Sequence, residues 1–246
     1  MPQPPLLVGI SGPSSSGKTT LSRLLRDIFP PHQLTILHLD DFYLTDAEIP
    51  IKNGIQDWDC LESLDLPLLR STLAHIKDHG TIPATFASKE DQNSVGEHAV
   101  SPTFISELKE RVQSLLRDQG WTRRVVIVDG FLLFSNDMKD IRSLFDVRLF
   151  LRTSYATAKK RREARSGYVT LEGFWEDPPG YVDQIVWPNY VADHRFLFEG
   201  GNVEGELDGA VCRDIGIEGM PREAEGDMGL CLEWAVGVLE KVIKGS

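Results

Sequence analysis

One run of eight residues carries the plainest chemistry in this sequence: Gly12-Pro13-Ser14-Ser15-Ser16-Gly17-Lys18-Thr19. Its spacing is G-x-x-x-x-G-K-[ST]. Glycines let the backbone curl until successive N–H groups converge on phosphate oxygens, and a helix starting at Lys18 adds its positive end. The Lys18 ammonium reaches the outer phosphates, and the Thr19 hydroxyl offers an oxygen to Mg²⁺. Gly12, Ser14, Ser15, Ser16, Gly17, Lys18, Thr19 and Thr20 are therefore the expected contacts to ATP. A glycine turn of this composition can arise by chance. This one lies between a strand-like run and a helix-like run, the context that phosphate binding requires.

Carboxylates supply the second part. Asp129 follows the apolar run Val125-Val126-Ile127-Val128, where it can hold Mg²⁺ directly or through water, or merely cap the next turn. Asp40 and Asp41 end another apolar run, Leu34 to Leu39. Phosphoryl transfer to an alcohol needs a carboxylate to take the acceptor's proton, and either residue is placed for that; the plainer alternative is a solvated strand end. Lys159-Lys160-Arg161-Arg162 with Arg165 forms a basic run in a chain of net charge −11. Such runs are usually solvated helix faces. Here the run precedes a loop bearing glycine, proline and aromatic residues, 166 to 180, and reads as a lid bringing Arg161 and Arg165 to the triphosphate. His75 and His79 stand four apart but have no third ligand nearby, and no role is assigned to them.

The elements that must position these groups alternate. Leu6 to Ile10, Leu34 to Leu39, Val125 to Val128, Val147 to Leu151 and Phe196 to Phe198 read as strands. Helices are expected from Lys18 to Phe29, Leu64 to His79, a start near 103 to Gln119, Thr153 or Ser154 to Arg165, and Leu230 to Ile243. Residues 44–60 have no regular pattern. This alternation specifies an α/β fold: a mostly parallel five-stranded sheet with helices on both faces and a small lid at about 161–180. One domain over 1–246 is expected, with flexible insertions at about 80–102 and 200–227. Ligands in such sheets sit beyond the carboxyl ends of the strands, where the phosphate loop, Asp40-Asp41 and Asp129 all emerge.

Composition narrows the class. With 26 basic and 37 acidic residues, the chain lacks the basic balance of a polyanion binder, so no nucleic-acid partner is expected. Cys60, Cys212 and Cys231 are odd in number and form no C-x-x-C pair, which favours a reducing compartment. No apolar run spans a bilayer and the N-terminus has no secretory pattern. The expectation is a cytoplasmic protein, with a nuclear fraction allowed, and no membrane partner. A guanine-reading N-K-x-D element is missing; Asp177-Pro178-Pro179-Gly180 fits D-x-x-G only formally, in a late loop.

Taken together, Gly9 to Thr20, Asp40-Asp41-Phe42-Tyr43, Trp58-Asp59, Asp129 to Phe134, the basic run, Pro179-Gly180-Tyr181 and Val186-Trp187-Pro188 resemble the nicotinamide riboside kinases, within the uridine-kinase-like group of P-loop NTPase folds. The resemblance covers roughly residues 6 to 200. It implies a nucleoside acceptor, ATP and Mg²⁺, with Asp41 as the base near the metal, and Thr19 and Asp129 completing the metal site. Asp59 would bind ribose hydroxyls, Trp58 and Tyr168 would sandwich a pyridine ring, and Asp40, Phe42 and Tyr43 would complete the acceptor site. Arg161 would touch ATP and Arg162 the nucleoside. Three departures stand out: Trp58 replaces a tyrosine, Asp129 stands where the family often has Glu, and the spacing around Tyr168 differs by one residue. A uridine or cytidine kinase is the nearest alternative, although that pattern usually has Ser where this chain has Asp41. An ATP-binding regulatory switch is the alternative of another class.

Overall fold

The computed structural model describes residues 3–84, 86, 88, 98–170 and 173–245. The chain runs β1 (Leu6–Ser11), α1 (Lys18–Ile28), β2 (Leu34–His38), a hairpin of β3 (Ile51–Lys52) and β4 (Ile55–Gln56), α2 (Leu66–His79), α3 (Pro102–Asp118) and β5 (Val125–Gly130). It continues through α4 (Lys139–Arg142), β6 (Val147–Phe150), α5 (Tyr155–Glu163), a hairpin of β7 (Tyr168–Val169) and β8 (Phe174–Trp175), α6 (Trp187–His194), α7 (Gly209–Asp214), β9 (Glu218–Gly219) and α8 (Met228–Lys244).

Five of these strands form one sheet in the order β2-β5-β1-β6-β9, each neighbouring pair parallel. Every residue of β1 and β5 is buried, as expected of strands covered on both faces. Alternation divides their side chains. Leu6, Val8, Ile10 and Ile127 pack with α1, α3 and α8, whereas Leu7, Val126 and Val128 pack with α2, α4, α6 and α7. On α1, Leu21, Leu24, Leu25 and Ile28 face the sheet almost without exposure, each contributing about 1.5–3 kcal/mol of burial.

Local chemistry sets the helix ends. The Asp65 and Ser101 side chains accept from the backbone N–H groups of Leu68 and Phe104 to start α2 and α3, each with proline in the first turn. Gly80, in the left-handed conformation, stops α2. Ser154 caps α5 by accepting from Thr157 N–H.

Three expectations need correction. Phe196 to Phe198 is not a strand: Arg195–Leu197 is a 3₁₀ turn, and Phe198 makes only an isolated bridge to Leu207. Leu197 and Phe198 are both buried, so the apolar run reflects core packing around a turn and not sheet pairing. The fifth strand is instead β9, paired through Leu149↔Glu218 and Phe150↔Gly219. It lies in the stretch 200–227, which was expected to be a flexible insertion but carries α7 and a sheet edge. Residues 44–60 likewise hold the β3–β4 hairpin, turned at Asn53-Gly54, both with positive φ. Much of the 80–102 excursion, and Leu171-Glu172 of the expected lid, lie outside the described residues.

Candidate active site

Sheet register assembles the site. Ile10 lies opposite Asp129, His38 also lies opposite Asp129, and Ser11 lies opposite Gly130, so the phosphate loop, Asp40 and Asp129 share one edge. In the loop, Gly12 has φ 146° and a Cβ there would lie 2.4 Å from the Leu151 carbonyl oxygen. Gly17, at φ 99°, precedes α1, whose first turn has no side-chain cap and no acidic residue. Those N–H groups and the helix dipole are thus available to an anion. Lys18 folds back, its Nζ donating to the Gly12 and Pro13 carbonyls at 3.0 and 2.8 Å. Burial lowers its pKa to about 8 against the pull of Asp40 and Asp129.

A cavity on this edge is lined by Ser14, Ser15, Gly17, Lys18, Thr19 and Thr20 from the loop, by Asp40, Tyr43, Trp58, Asp59 and Asp129, and by Arg162, Arg165 and Tyr168. On the acceptor side the sequence-derived set converges there except for Asp41 and Phe42. Asp40 lines the cavity and Asp41 does not. Burial, then the neighbouring Asp129, raises the Asp40 pKa, while Lys18 opposes the shift. Phe42 belongs to the core, 1% exposed and stacked on Phe86 at 5.3 Å. The short 3₁₀ turn over Leu39–Phe42 decides this, sending neighbouring residues in different directions. Tyr168 lines this cavity together with Trp58, and the guanidinium carbons of Arg162 and Arg165 lie 4.7 and 5.0 Å from its ring centre. The aromatic neighbours of Trp58 are Tyr43 at 5.3 Å and Trp175 at 5.6 Å.

Asp59 is held from several directions. Its backbone N–H donates to Asp57 Oδ1, and Asn189 donates to both Asp57 oxygens and to the Asp59 carbonyl. Its carboxylate receives Arg162 Nη1 and Nη2 at 3.3 and 3.1 Å. Arg162 also forks onto Asp177 and donates to Ser14 Oγ at 2.7 Å. Burial raises the Asp59 pKa to about 6, although Arg162 pulls it down. Trp175, Asp177 and Asn189 were missed from the sequence, and so was Phe131 as a cavity wall. The only signals were the aromatic pair Phe174-Trp175, the formal D-x-x-G and the residue after Trp187-Pro188.

On the other side of the loop, a second cavity is lined by Ser15, Ser16, Gly17, Thr20, Arg161 and Arg165 together with Met220, Ala224, Asp227, Met228 and Cys231. Arg161 Nη1 donates to the Ser15 carbonyl at 3.3 Å. Arg161 therefore faces this second space and Arg162 the first. The stretch 200–227, for which no role was read, furnishes part of its wall.

Thr19, Asp40 and Asp129 present one hydroxyl and two carboxylates, a hard oxygen donor set suited to Mg²⁺. Burial, and after it the nearby Asp129 charge, raises the Asp40 pKa, a cost that a divalent cation bound between them would reduce.

A phosphate loop at the carboxyl edge of a parallel sheet, two cavities meeting on it, and a buried carboxylate beside its lysine define a P-loop kinase. Comparison with known proteins narrows this. The chain is 47% identical to the nicotinamide riboside kinase of Schizosaccharomyces pombe, covering 82% of this chain and 84% of that one. It is 39% identical to the enzyme of the same name from Saccharomyces cerevisiae, over 85% and 86% of the two chains. Human nicotinamide riboside kinase 2 is 31% identical over 85% of this chain and 76% of that one. The chain belongs to the nicotinamide riboside kinase family. No protein-family model matches it. Among solved structures, a possible uridine kinase from Bacillus stearothermophilus aligns over 85% of this chain and 91% of that one, with 14% identity and a TM-score of 0.45.

Proposed function

We propose that this protein transfers the γ-phosphoryl group of ATP to the 5′-hydroxyl of nicotinamide riboside, and also of nicotinic acid riboside, forming the mononucleotide in NAD salvage. The observation that carries the reading is the meeting of two cavities on the phosphate loop, where both are lined by Ser15, Gly17 and Thr20 and by Arg165 of the basic run. One has basic and apolar walls on the Arg161 side, and the other holds Asp40, Asp59 and an aromatic lining. ATP occupies the first with its phosphates on the loop, and the riboside occupies the second.

Asp59 accepts hydrogen bonds from the ribose hydroxyls, taking over from part of its pairing with Arg162. Trp58, Tyr43 and Trp175 supply faces for a flat cationic base. Asp40, rather than Asp41, takes the proton from the 5′-hydroxyl, because it is the member of the pair that lines the cavity with Lys18. Lys18, Arg162 and Arg165 stabilise charge spreading over the transferred group. Mg²⁺ held by Thr19, Asp40 and Asp129 would neutralise phosphate charge. The α5 helix and the β7–β8 hairpin act as a lid that excludes water. The free thiols Cys60, Cys212 and Cys231 support a cytoplasmic location. Among the described residues, no helix is long and apolar enough to cross a membrane.

The test is to incubate the protein with Mg²⁺-ATP and, separately, nicotinamide riboside, nicotinic acid riboside, uridine and cytidine, quantifying each 5′-monophosphate. Conversion of the pyridine ribosides is expected. Phosphorylation of uridine or cytidine alone would keep the chemistry and refute the acceptor. ATP binding without any product would favour the regulatory-switch alternative.

A further inference from the structure

His38 played no part in the sequence argument, yet it makes the closest contact of Asp129. It ends β2 directly opposite Asp129 in the parallel register. Its Nδ1 lies 2.7 Å from Asp129 Oδ1, and the two residues are 2% and 3% exposed. The second oxygen, Oδ2, lies 3.1 Å from Ser22 Oγ, a fully buried hydroxyl one turn along α1 from Lys18. That hydroxyl is also 2.9 Å from the Lys18 carbonyl, so its single proton serves one acceptor at a time.

We propose that His38 is a positioning residue for Asp129, holding the carboxylate plane so that its remaining lone pairs face the metal-bearing phosphates rather than the Lys18 ammonium. The proposal rests on the kinase reading above. A carboxylate can only accept, so the His38 nitrogen facing it carries the proton. That N–H fixes the orientation of the carboxylate from the side of β2. Oδ1 accepts from His38, and Oδ2 accepts from Ser22 when that proton is not on the Lys18 carbonyl, so each oxygen keeps at least one site, which suits holding a water of the metal's shell. Aspartate is short and has two torsions. With Lys18 and Asp40 both close enough to perturb each other electrostatically, an untethered Asp129 would turn towards the ammonium and leave the metal site. The sheet supplies the tether at no loop cost, because β2 and β5 are adjacent strands.

Groups that orient metal ligands from behind typically contribute about 10–100-fold in metal affinity or activity. The test is calorimetric titration of ADP into wild type, His38→Ala, His38→Asn and His38→Gln, with and without Mg²⁺, alongside kcat for riboside phosphorylation. Asn places an amide N–H near the Nδ1 position, whereas Gln places it near Nε2. ADP without metal is expected to bind all four proteins equally. The enhancement by Mg²⁺ should fall about 10–100-fold in the Ala and Gln proteins, with kcat falling in parallel, and should be retained in Asn. Undiminished enhancement in His38→Ala overturns the proposal. Where His38→Ala fails to fold, equal Mg²⁺ dependence of the Asn and Gln proteins overturns it. Wild-type protein that shows the His38-dependent enhancement but phosphorylates no riboside refutes the function and leaves this role standing.

Discussion

Lowering the pH from 7.5 to 5 should weaken riboside binding through one residue, Asp59. Burial raises its pKa to about 6 from an ordinary 3.8. In the proposed ribose site the carboxylate accepts two charge-assisted hydrogen bonds, and protonation removes its charge and one of its two acceptor oxygens. At pH 7.5 nearly all Asp59 is ionised, whereas at pH 5, one unit below its pKa, about one molecule in eleven is. Because the riboside binds the ionised form, its dissociation constant rises about tenfold over this interval. Asp59→Asn removes both the charge and the titration. It keeps one acceptor oxygen but loses charge-assisted bonds worth about 1.5–3 kcal/mol, so affinity at pH 7.5 falls about 10- to 100-fold and becomes nearly independent of pH. Calorimetric titration of nicotinamide riboside into the ADP complex measures this without interference from kcat. Burial raises the Asp193 pKa to about 6 as well, but Asp193 lines another cavity, which includes Asp57 and not Asp59, so Asp193→Asn is the control that keeps the wild-type pH dependence. A wild-type affinity that is flat from pH 5 to 7.5, or an Asp59→Asn protein with the same slope, refutes the argument.

Three further outcomes are expected. Asp40→Asn should lower kcat by about 10²–10⁴-fold with metal-free ATP affinity retained, while Asp41→Asn has the smaller effect; single-turnover kinetics with both proteins at saturating Mg²⁺ decides the order, and the reverse order removes Asp40 as base. Gly12→Ala should cost about 3 kcal/mol in stability or abolish nucleotide binding, because φ 146° is strained for alanine and its methyl would press on the Leu151 carbonyl; urea unfolding with and without ATP measures this. The raised pKa of Asp193 means that its contribution to stability is full below its unfolded value of 3.8 and is lost as pH rises through about 6. Asp193→Asn should therefore stabilise the protein by about 1 kcal/mol at pH 7.5, after discounting for solvent screening, and much less at pH 4.5; equal shifts at both pH values would refute the assignment.

By itself, the sequence determined the parts that are local. The phosphate loop is one contiguous run whose glycines set its backbone, and α1 follows because Leu21, Leu24, Leu25 and Ile28 share a face. The four long strands are apolar runs, and parallel order follows from their alternation with helices. Which groups meet was decided by tertiary structure. A two-residue edge strand at Glu218–Gly219 pairs through backbone atoms, so its side chains carry no signal, whereas the apolar run Phe196 to Phe198 is buried without being a strand. Asp40 and Asp41 are alike in type and adjacent in sequence, yet only the 3₁₀ turn that follows β2 turns one to the cavity and puts Phe42 in the core. His38 meets Asp129, and Asp177 meets Arg162, across 91 and 15 residues. Such pairs leave no periodic pattern, because each depends on the register of strands or the closure of a loop and not on the residues beside it in the chain.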